Sequence, residues 1–504
     1  MGAILSALLP IISGPWPERV WRWGWEACVV LYLVAQALLV VYSSHRWLLL
    51  WRRWRRRGQV RPASPPPRVW PLVTVQLPVY NERRVVERLI DSVASLDYPP
   101  DRLEIQVLDD SSDETRAWAE HAVALHAERG VDIRVLHREH RHGFKAGALA
   151  EGLSAARGEF LAVFDADFVP GRDFLRRTLP HFADAGVGMV QARWGHLNRD
   201  GSLLTAAQAV MLDSHFTLEH DARMRSGLFF NFNGTAGVWR RACIESAGGW
   251  SHDTLTEDLD LSYRAQLAGW RFVYDGTIEA PAELPADMEA LKSQQQRWAR
   301  GSIQTARKLL PRLLRGTLPL RVKLEALIHL TTNLAYALLL MLGLLLLPVL
   351  SRAGHAPPVV AWVAQIGLIV LGVVPVGCFL VAGQLALGRG RRLARDVIAA
   401  LLLGIGLSLN NARAVIEGMG GAAGEFERTP KLGHGRASRG EPYASARGVT
   451  GRAELVLALY FAAVAVFAAR AGEWRALPLL TLLLVAFGAV GWASLRASLR
   501  ARRA

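Results

Sequence analysis

The sequence predicts an α/β domain carried inside an α-helical membrane region. Three observations predict it. The apolar residues, 51% of the 504-residue chain, are gathered into long runs rather than dispersed. Many of the Lys and Arg residues that give the net charge of +15 flank those runs, where basic loops mark the cytoplasmic side of a membrane. Between residues 71 and 270 the pattern changes to short β-rich runs alternating with helical stretches. Because the basic excess is explained by loops, no nucleic-acid partner is expected. The 3 cysteines, Cys28, Cys243 and Cys378, lie far apart and without metal-ligand spacing, and imply neither a disulfide framework nor a zinc site.

Taken in order, residues 1–14 are apolar but short, lack a basic leader and contain Pro10, so they fit an interfacial segment. The first span is expected at about 26–50. Arg52-Arg53-Trp54-Arg55-Arg56-Arg57 follows it and sets the chain on the cytoplasmic side. Residues 61–67, with Pro62, Pro65, Pro66 and Pro67, form a stiff linker. Strands are expected at Leu72–Leu77, Leu103–Leu108, Asp132–Leu136 and Phe160–Phe164, with helices at 85–96, 114–129 and 146–156 between them. Such alternation predicts a parallel sheet, whose ligands bind beyond the carboxyl ends of the strands. Tyr80-Asn81-Glu82, Asp109-Asp110 and Asp165-Ala166-Asp167 all fall there. No G-x-G-x-x-G or G-x-x-x-x-G-K-[ST] run follows these strands, which leaves dinucleotide and P-loop readings unsupported.

Beyond the α/β region, 281–320 is basic and amphipathic, as for helices lying on the inner membrane surface. Spans are expected at about 324–350 and 359–386, and the basic run Arg389–Arg395 returns the chain to the cytoplasm. Segment 396–418 is long enough to cross yet carries Asn410, Asn411, Arg413 and Glu417, with basic loops on both sides. It is expected to lie in or re-enter the interface. Spans at about 453–470 and 477–494 leave the Arg-rich tail, 496–503, inside. The organisation expected is therefore 1–60 with one span, 61–280 as the cytosolic domain, 281–320 as interface helices, 321–388 with two spans, 389–452 as interfacial helix and loop, and 453–504 with two spans.

Four polar constellations stand out. Residues two apart in an extended segment project to one side, so Asp165 and Asp167 can present two carboxylates to one hard cation, Mg²⁺ or Mn²⁺, completed by diphosphate oxygens; the same pentapeptide also reads as a solvated turn. In Thr256-Glu257-Asp258, at a helix start, the carboxylates read either as charges favoured by the helix dipole or as a general base. Gln294, Arg297 and Trp298, at i, i+3 and i+4, share one helix face. That face suits a sugar or phosphate ligand, or an interfacial helix with its usual Trp and Arg. Lys145, between Gly143 and Gly147, can reach a phosphate as a point charge.

Together these residues resemble the membrane-embedded processive glycosyltransferases of family 2, the cellulose synthase superfamily. Asp110, Asp165-Ala166-Asp167, Thr256-Glu257-Asp258 and Gln294-Gln295-Gln296-Arg297-Trp298 match its D, DxD, TED and QxxRW pattern. The stretches 75–82 (VQLPVYNE), 107–112 (VLDDSS), 143–149 (GFKAGAL), 191–194 (QARW), 232–240 (FNGTAGVWR) and 247–250 (AGGW) look closest to the cellulose synthase-like A group, the mannan and glucomannan synthases. Residues 426–431 (FERTPK) resemble the family's gating loop, with Arg428 where cellulose synthases have Val. The family's N-terminal zinc-binding domain, plant-type insertion and C-terminal cyclic-nucleotide-binding domain are not matched, so regulation by a cyclic dinucleotide is not implied.

The resemblance implies a cytosolic GT-A type, Rossmann-like domain and a processive, inverting β-glycosyltransferase that makes a β-1,4-linked polysaccharide and extrudes it through its own channel. Tyr80, Glu82 and Asp110 would hold the nucleoside, with Lys145 near the diphosphate. Asp165 and Asp167 would bind the Mg²⁺ or Mn²⁺, Asp167 more directly. Asp258 would be the general base and Trp298 the acceptor platform, with Gln294 and Arg297 on acceptor or diphosphate. Phe426, Thr429 and Lys431 would close over the nucleotide. The closest-looking group favours GDP-mannose as donor and the wider superfamily UDP-glucose. The partners implied are that donor, the growing polysaccharide and the lipid bilayer, with accessory subunits left open. The location expected is a bacterial inner (plasma) membrane with the catalytic domain cytoplasmic. Two rival readings are a non-processive transferase acting on a lipid acceptor and a transporter or scaffold with a degenerate domain. The scaffold reading predicts loss of the acidic cluster.

Overall fold

A computed structural model describes residues 18–58, 65–351, 362–420 and 450–503, together with Val359 and Gly433. Seven strands, β1 (Val73–Val79), β2 (Leu103–Asp109), β3 (Ile133–His137), β4 (Phe160–Val163), β5 (Val187–His196), β6 (Gly237–Arg240) and β7 (Arg271–Ala282), form one sheet in the order β3-β2-β1-β4-β6-β5-β7. Helices α1 (Glu18–Arg55), α2 (Val86–Ala94), α3 (Thr115–Ala127) and α4 (Phe144–Ala155) precede β4 in the chain. β2 is buried along its whole length and β4 likewise, as expected of strands covered on both faces.

The sheet is mixed, which corrects the expectation of an all-parallel one. β1 pairs in parallel with β2 and β4, β2 with β3, and β5 with β7, but β6 runs antiparallel between β4 and β5. The chain enters β6 from a loop already at the carboxyl edge of β4, where Ala236 N–H donates to Val163 O at 2.9 Å. From that edge it can only run back. The register Val79↔Asp109 and Gln76↔Val163 brings the ends of β1, β2 and β4 to one edge.

After β5, α5 (Leu203–Ser214) opens with a capping box at Ser202 and Thr205 and continues through a π-helical turn, His215–His220. α6 (Glu257–Leu267) precedes β7. Then come α7 (Met288–Arg315), α8 (Leu320–Thr331), α9 (Leu334–Ser351), a π-helical stretch Val363–Val373 leading into α10 (Val374–Ala386), α11 (Leu393–Gly406), α12 (Ser408–Gly420), α13 (Thr450–Arg470) and α14 (Leu477–Arg503). Among the described residues, five segments are long and apolar enough to cross a membrane: Trp23–Arg55, Leu334–Ser351, Gln365–Ala386, Gly451–Arg470 and Trp474–Leu499. α11 and α12 form a pair bent by 45°. Tyr32, Leu346, Phe461 and Phe487 lie in the core that these helices share.

Buried charge docks the domain on the helices. Glu325 of α8 receives His45 at 3.0 Å and Arg52 at 2.5 Å from α1, and Arg223 at 3.0 Å. Asp213 of α5 accepts from His196 at 3.2 Å, Gln384 of α10 at 3.0 Å and Arg389 at 2.5 Å. Lys292 of α7 pairs with Glu454 of α13 at 2.6 Å, and Asn410 Nδ2 donates to the Lys292 carbonyl at 3.1 Å. Asn410 and Asn411, which made 396–418 ambiguous, are therefore both buried, with Asn410 turned toward α7.

Candidate active site

The loops beyond β1 and β2 are tied to each other. Asn81 adopts a left-handed backbone, φ 54°, which Asn tolerates better than most residues. Its N–H donates to Ser111 Oγ at 2.9 Å, and its side-chain oxygen accepts from Ser112 N–H at 2.9 Å. Asp109 is fully buried and accepts from His137 at 2.7 Å. Asp110 turns into the cleft, gripped by Arg138 through Nε at 2.7 Å and Nη2 at 2.5 Å. Arg138 also donates to the carbonyls of His142 and Phe144. The Arg141 guanidinium lies over the Tyr80 ring, 3.5 Å from its centroid.

Beyond β4, Asp165 receives Lys145 Nζ at 2.5 Å; the same ammonium donates to Gly234 O at 2.9 Å and stands 4.0 Å from Glu257. Burial works to lower the Lys145 pKa, but Asp165, Glu257 and Asp258 more than offset it and hold it raised, so the ammonium stays charged. Asp167 is buried, and Phe168 beside it packs edge-on against Trp194, centroids 5.3 Å apart.

Glu257 and Asp258 open α6. Burial, reinforced by the charge of Glu257, pushes the Asp258 carboxyl up to about 7; burial also raises Glu257. Gly234 has φ +80°, and a Cβ there would stand 3.2 Å from Asp258 Oδ2. α7 packs closely on the TED segment at Gly301, where a Cβ would meet Thr256 Cγ2 at 2.5 Å. Gln304 Oε1 accepts from Leu255 N–H at 3.0 Å. This contact fixes the helix that carries Gln294, Arg297 and Trp298.

One cleft is lined by Tyr80, Glu82, Asp110, Lys145, Asp165, Asp167, Asp258, Gln294, Arg297 and Trp298, so the structure brings together every expected site residue that it describes. Phe426, Thr429 and Lys431 lie outside the described residues. Gly433, just beyond them, donates its N–H to Glu283 at the cleft wall, 3.1 Å. Sequence reasoning missed Arg138, Arg141 and Asn233. The Asn233 side chain is held by His215 at 3.1 Å and His220 at 2.6 Å. Burial lowers the pKa of both histidines, His220 to about 3, so the pair is neutral and fixes the amide. No spacing rule marks these residues; Asn233 sits inside the stretch 232–240, but its partners are elsewhere.

A second cavity of about 480 Å³ meets this cleft at Asp258, Asn233, Gln294 and Trp298 and runs among the apolar helices, past Tyr42, Tyr336, Leu339, Leu403 and Leu482. Among the described residues no group of three His, Cys, Asp or Glu side chains is arranged to hold a metal. Asp165 and Asp167 are a two-carboxylate, oxygen-only set, which fits a hard divalent ion that draws its other ligands from water and substrate phosphates.

Residues 67–301 match the family described as Glycosyltransferase like family 2. Glucomannan 4-beta-mannosyltransferase 1 of Oryza sativa subsp. japonica is 42% identical over 301 residues, 57% of this chain and 57% of the relative. Glucomannan 4-beta-mannosyltransferase 2 of Arabidopsis thaliana is 44% identical over 252 residues, 49% of this chain and 47% of the relative. The chain thus spans about half the length of the curated relatives it matches. Mannosyltransferase PcManGT from Pyrobaculum calidifontis, solved in complex with GDP-Man and Mn²⁺, superposes with a TM-score of 0.51 at 24% identity, over 77% of this chain and 99% of that one. The α/β unit is a GT-A fold, flanked by helices long and apolar enough to cross a membrane. Residues 67–301 are thus similar to glycosyltransferase family 2 domains.

Proposed function

We propose that the protein is a membrane-embedded hexosyltransferase that transfers mannose from GDP-mannose to the end of a β-1,4-linked mannan or glucomannan chain, and passes the lengthening chain into the cavity among its apolar helices. The observation that carries this reading is the meeting of two spaces at one carboxylate. Asp258 lines both the polar cleft and the 480 Å³ cavity, and Trp298 stands at the same junction. A donor on one side and an acceptor on the other would meet there.

In this reading Tyr80, Glu82 and Asp110 hold the nucleoside, and Lys145 moves from Asp165 onto the diphosphate. Asp165 and Asp167 hold Mg²⁺ or Mn²⁺, which when bound neutralises the charge gathering on the leaving diphosphate. Trp298 supports the acceptor sugar by stacking, while Gln294 and Arg297 donate to hydroxyls or phosphate. Asp258 takes the proton from the acceptor's terminal hydroxyl. The hydroxyl oxygen bonds to the anomeric carbon as the bond from that carbon to the diphosphate breaks on the opposite face, so an α-linked donor yields a β-linkage. Phe426, Thr429 and Lys431 are assigned to a loop that covers the nucleotide and excludes water. The anchoring of Gly433 to Glu283 at the cleft wall supports that assignment.

The relatives' names and the ligand of PcManGT favour GDP-mannose over UDP-glucose. Both relatives are plant proteins, so a bacterial plasma membrane has no support from them. The reading retained is an integral membrane protein with its domain on the cytosolic side. Nucleotide release by detergent-purified protein with Mn²⁺ or Mg²⁺, offered GDP-mannose and UDP-glucose separately, tests it. Asp258-dependent release from GDP-mannose with a β-mannanase-sensitive polymer is expected. A short glycolipid as sole product would replace the polymer by a lipid acceptor.

A further inference from the structure

We propose that the side-chain amide of Asn233 selects the acceptor, holding a hydroxyl that flanks the attacking one on the terminal sugar, and that His215 and His220 set which way round the amide faces. The inference rests on reading the junction of cleft and cavity as the place where donor and acceptor meet. Asn233 lines both spaces there, with Asp258 and Trp298. Its backbone is fixed, since its N–H donates to Oε1 of the fully buried Gln191 at 3.0 Å. The next residue is Gly234, where a Cβ would stand 3.2 Å from Asp258 Oδ2. The amide is thus one residue from the wall of the base, where the neighbours of the attacking hydroxyl would lie.

The two histidines give the amide a fixed sense. Glu219 is paired with Arg46 and, at 3.2 Å, with Arg223, so it is ionised and can only accept. His215 Nδ1, 3.1 Å from Glu219 Oε2, therefore carries the proton. In a neutral ring that leaves Nε2 an acceptor, and Asn233 Nδ2, 3.1 Å away, donates to it. On the other side His220 Nδ1 is buried with no partner, where a proton would have no acceptor. The proton of that ring sits on Nε2 and is donated to Asn233 Oδ1 at 2.6 Å. Turning the amide over would set its oxygen against a lone pair and its N–H against another N–H. An amide has two N–H donors and two carbonyl lone pairs; the histidines take one of each, and one of each remains. A sugar hydroxyl both donates and accepts, so it can pair with both. A methylene in its place would leave them unpaired, which is how a polar site rejects an analogue lacking the hydroxyl.

Mannose transfer by the full chain in detergent, from GDP-mannose to a β-1,4-mannooligosaccharide and to analogues whose non-reducing end is 3-deoxy or 6-deoxy, tests the inference. Wild type is expected to lose about tenfold in kcat/KM with one of the two analogues. Asn233→Ala is expected to lose about as much with the unmodified acceptor, mostly in acceptor KM, and nothing further with that analogue. Unchanged GDP binding reports that its cleft is intact; Asn233→Asp, isosteric but without the N–H, is read in the same way should alanine cost GDP binding. His215→Phe, which keeps a ring but no acceptor, should lose most of the same discrimination. Equal use of all three acceptors by wild type would overturn the proposal, as would an analogue that costs Asn233→Ala as much as it costs wild type. A variant that raises the KM of GDP-mannose and leaves acceptor KM alone would place the amide on the donor and overturn it too. Full discrimination in His215→Phe would overturn the orienting role. A wild type that transfers mannose to none of these acceptors would instead overturn the reading beneath it.

Discussion

Lys145 Nζ and Asp165 Oδ1 are 2.5 Å apart, so the lysine supplies the positive charge at the carboxylate pair where a divalent ion is proposed. A divalent ion held by Asp165 and Asp167 would compete with the lysine for Asp165, and a bound diphosphate would relieve that competition by accepting from the ammonium. Mn²⁺ and GDP are expected to bind with positive coupling, about 5- to 150-fold. Lys145→Met should raise Mn²⁺ affinity without nucleotide, shrink the coupling and lower turnover. Mn²⁺ titrations followed by electron paramagnetic resonance, with and without GDP, check this.

Asp258 must be ionised to act as a base, and burial first, then Glu257, raise its pKa to about 7. kcat/KM is expected to fall about tenfold per pH unit below 7 and to level off above it. The stability consequence has the opposite sign. A carboxyl whose folded pKa exceeds its unfolded value, about 3.9, stabilises the fold while protonated; that stability is lost as pH rises through 7. Asp258→Asn is thus expected to abolish nucleotide release yet melt above wild type at pH 8. A lower melting temperature would contradict the buried-charge account.

Gly234→Ala combines a left-handed backbone with a Cβ 3.2 Å from Asp258 Oδ2. The backbone alone costs about 1–2 kcal/mol. Turnover should drop more than stability does if Asp258 is the proposed base, because the intruding methyl displaces its carboxylate. Parallel measurement of kcat and thermal unfolding separates the two effects.

Glu325, buried among His45, Arg52 and Arg223, joins α8 to α1 and the domain. Removing one partner of a buried ionic cluster costs about 3–5 kcal/mol. Glu325→Ala is expected to lower the detergent-phase melting temperature sharply, while Glu325→Gln, which keeps two hydrogen-bonding atoms, costs less. Equal melting of all three proteins would show that the cluster contributes nothing to docking.

What was legible in the sequence follows from locality. Asp110 and Asp165 each follow a short β-rich run, Leu103–Leu108 and Phe160–Phe164, and strand ends in such a sheet share an edge. Gln294, Arg297 and Trp298 carry their own helical spacing. β6 was illegible because four residues, Gly237–Arg240, hold no periodicity, and its reversed direction depends on where the preceding loop lies. Arg141 lies in a stretch, Arg138-Glu139-His140-Arg141-His142, with no motif spacing, and its place in the cleft depends on Tyr80, distant in sequence. Asn410 and Asn411 read as faults in an apolar segment until α7 supplied a partner for Asn410 in the Lys292 carbonyl.

The bent α11–α12 pair is pinned to the domain before and after: Arg389 is held by Asp213, and Gly433 by Glu283. Both tethers reach the α/β unit, which on the proposed reading makes the bent pair re-entrant rather than a single crossing. The other candidate spans among the described residues number five, an odd total. On the proposed reading, a reporter fused after Ala504 would face the side that holds the α/β unit, and a tag ahead of Glu18 would face the opposite side.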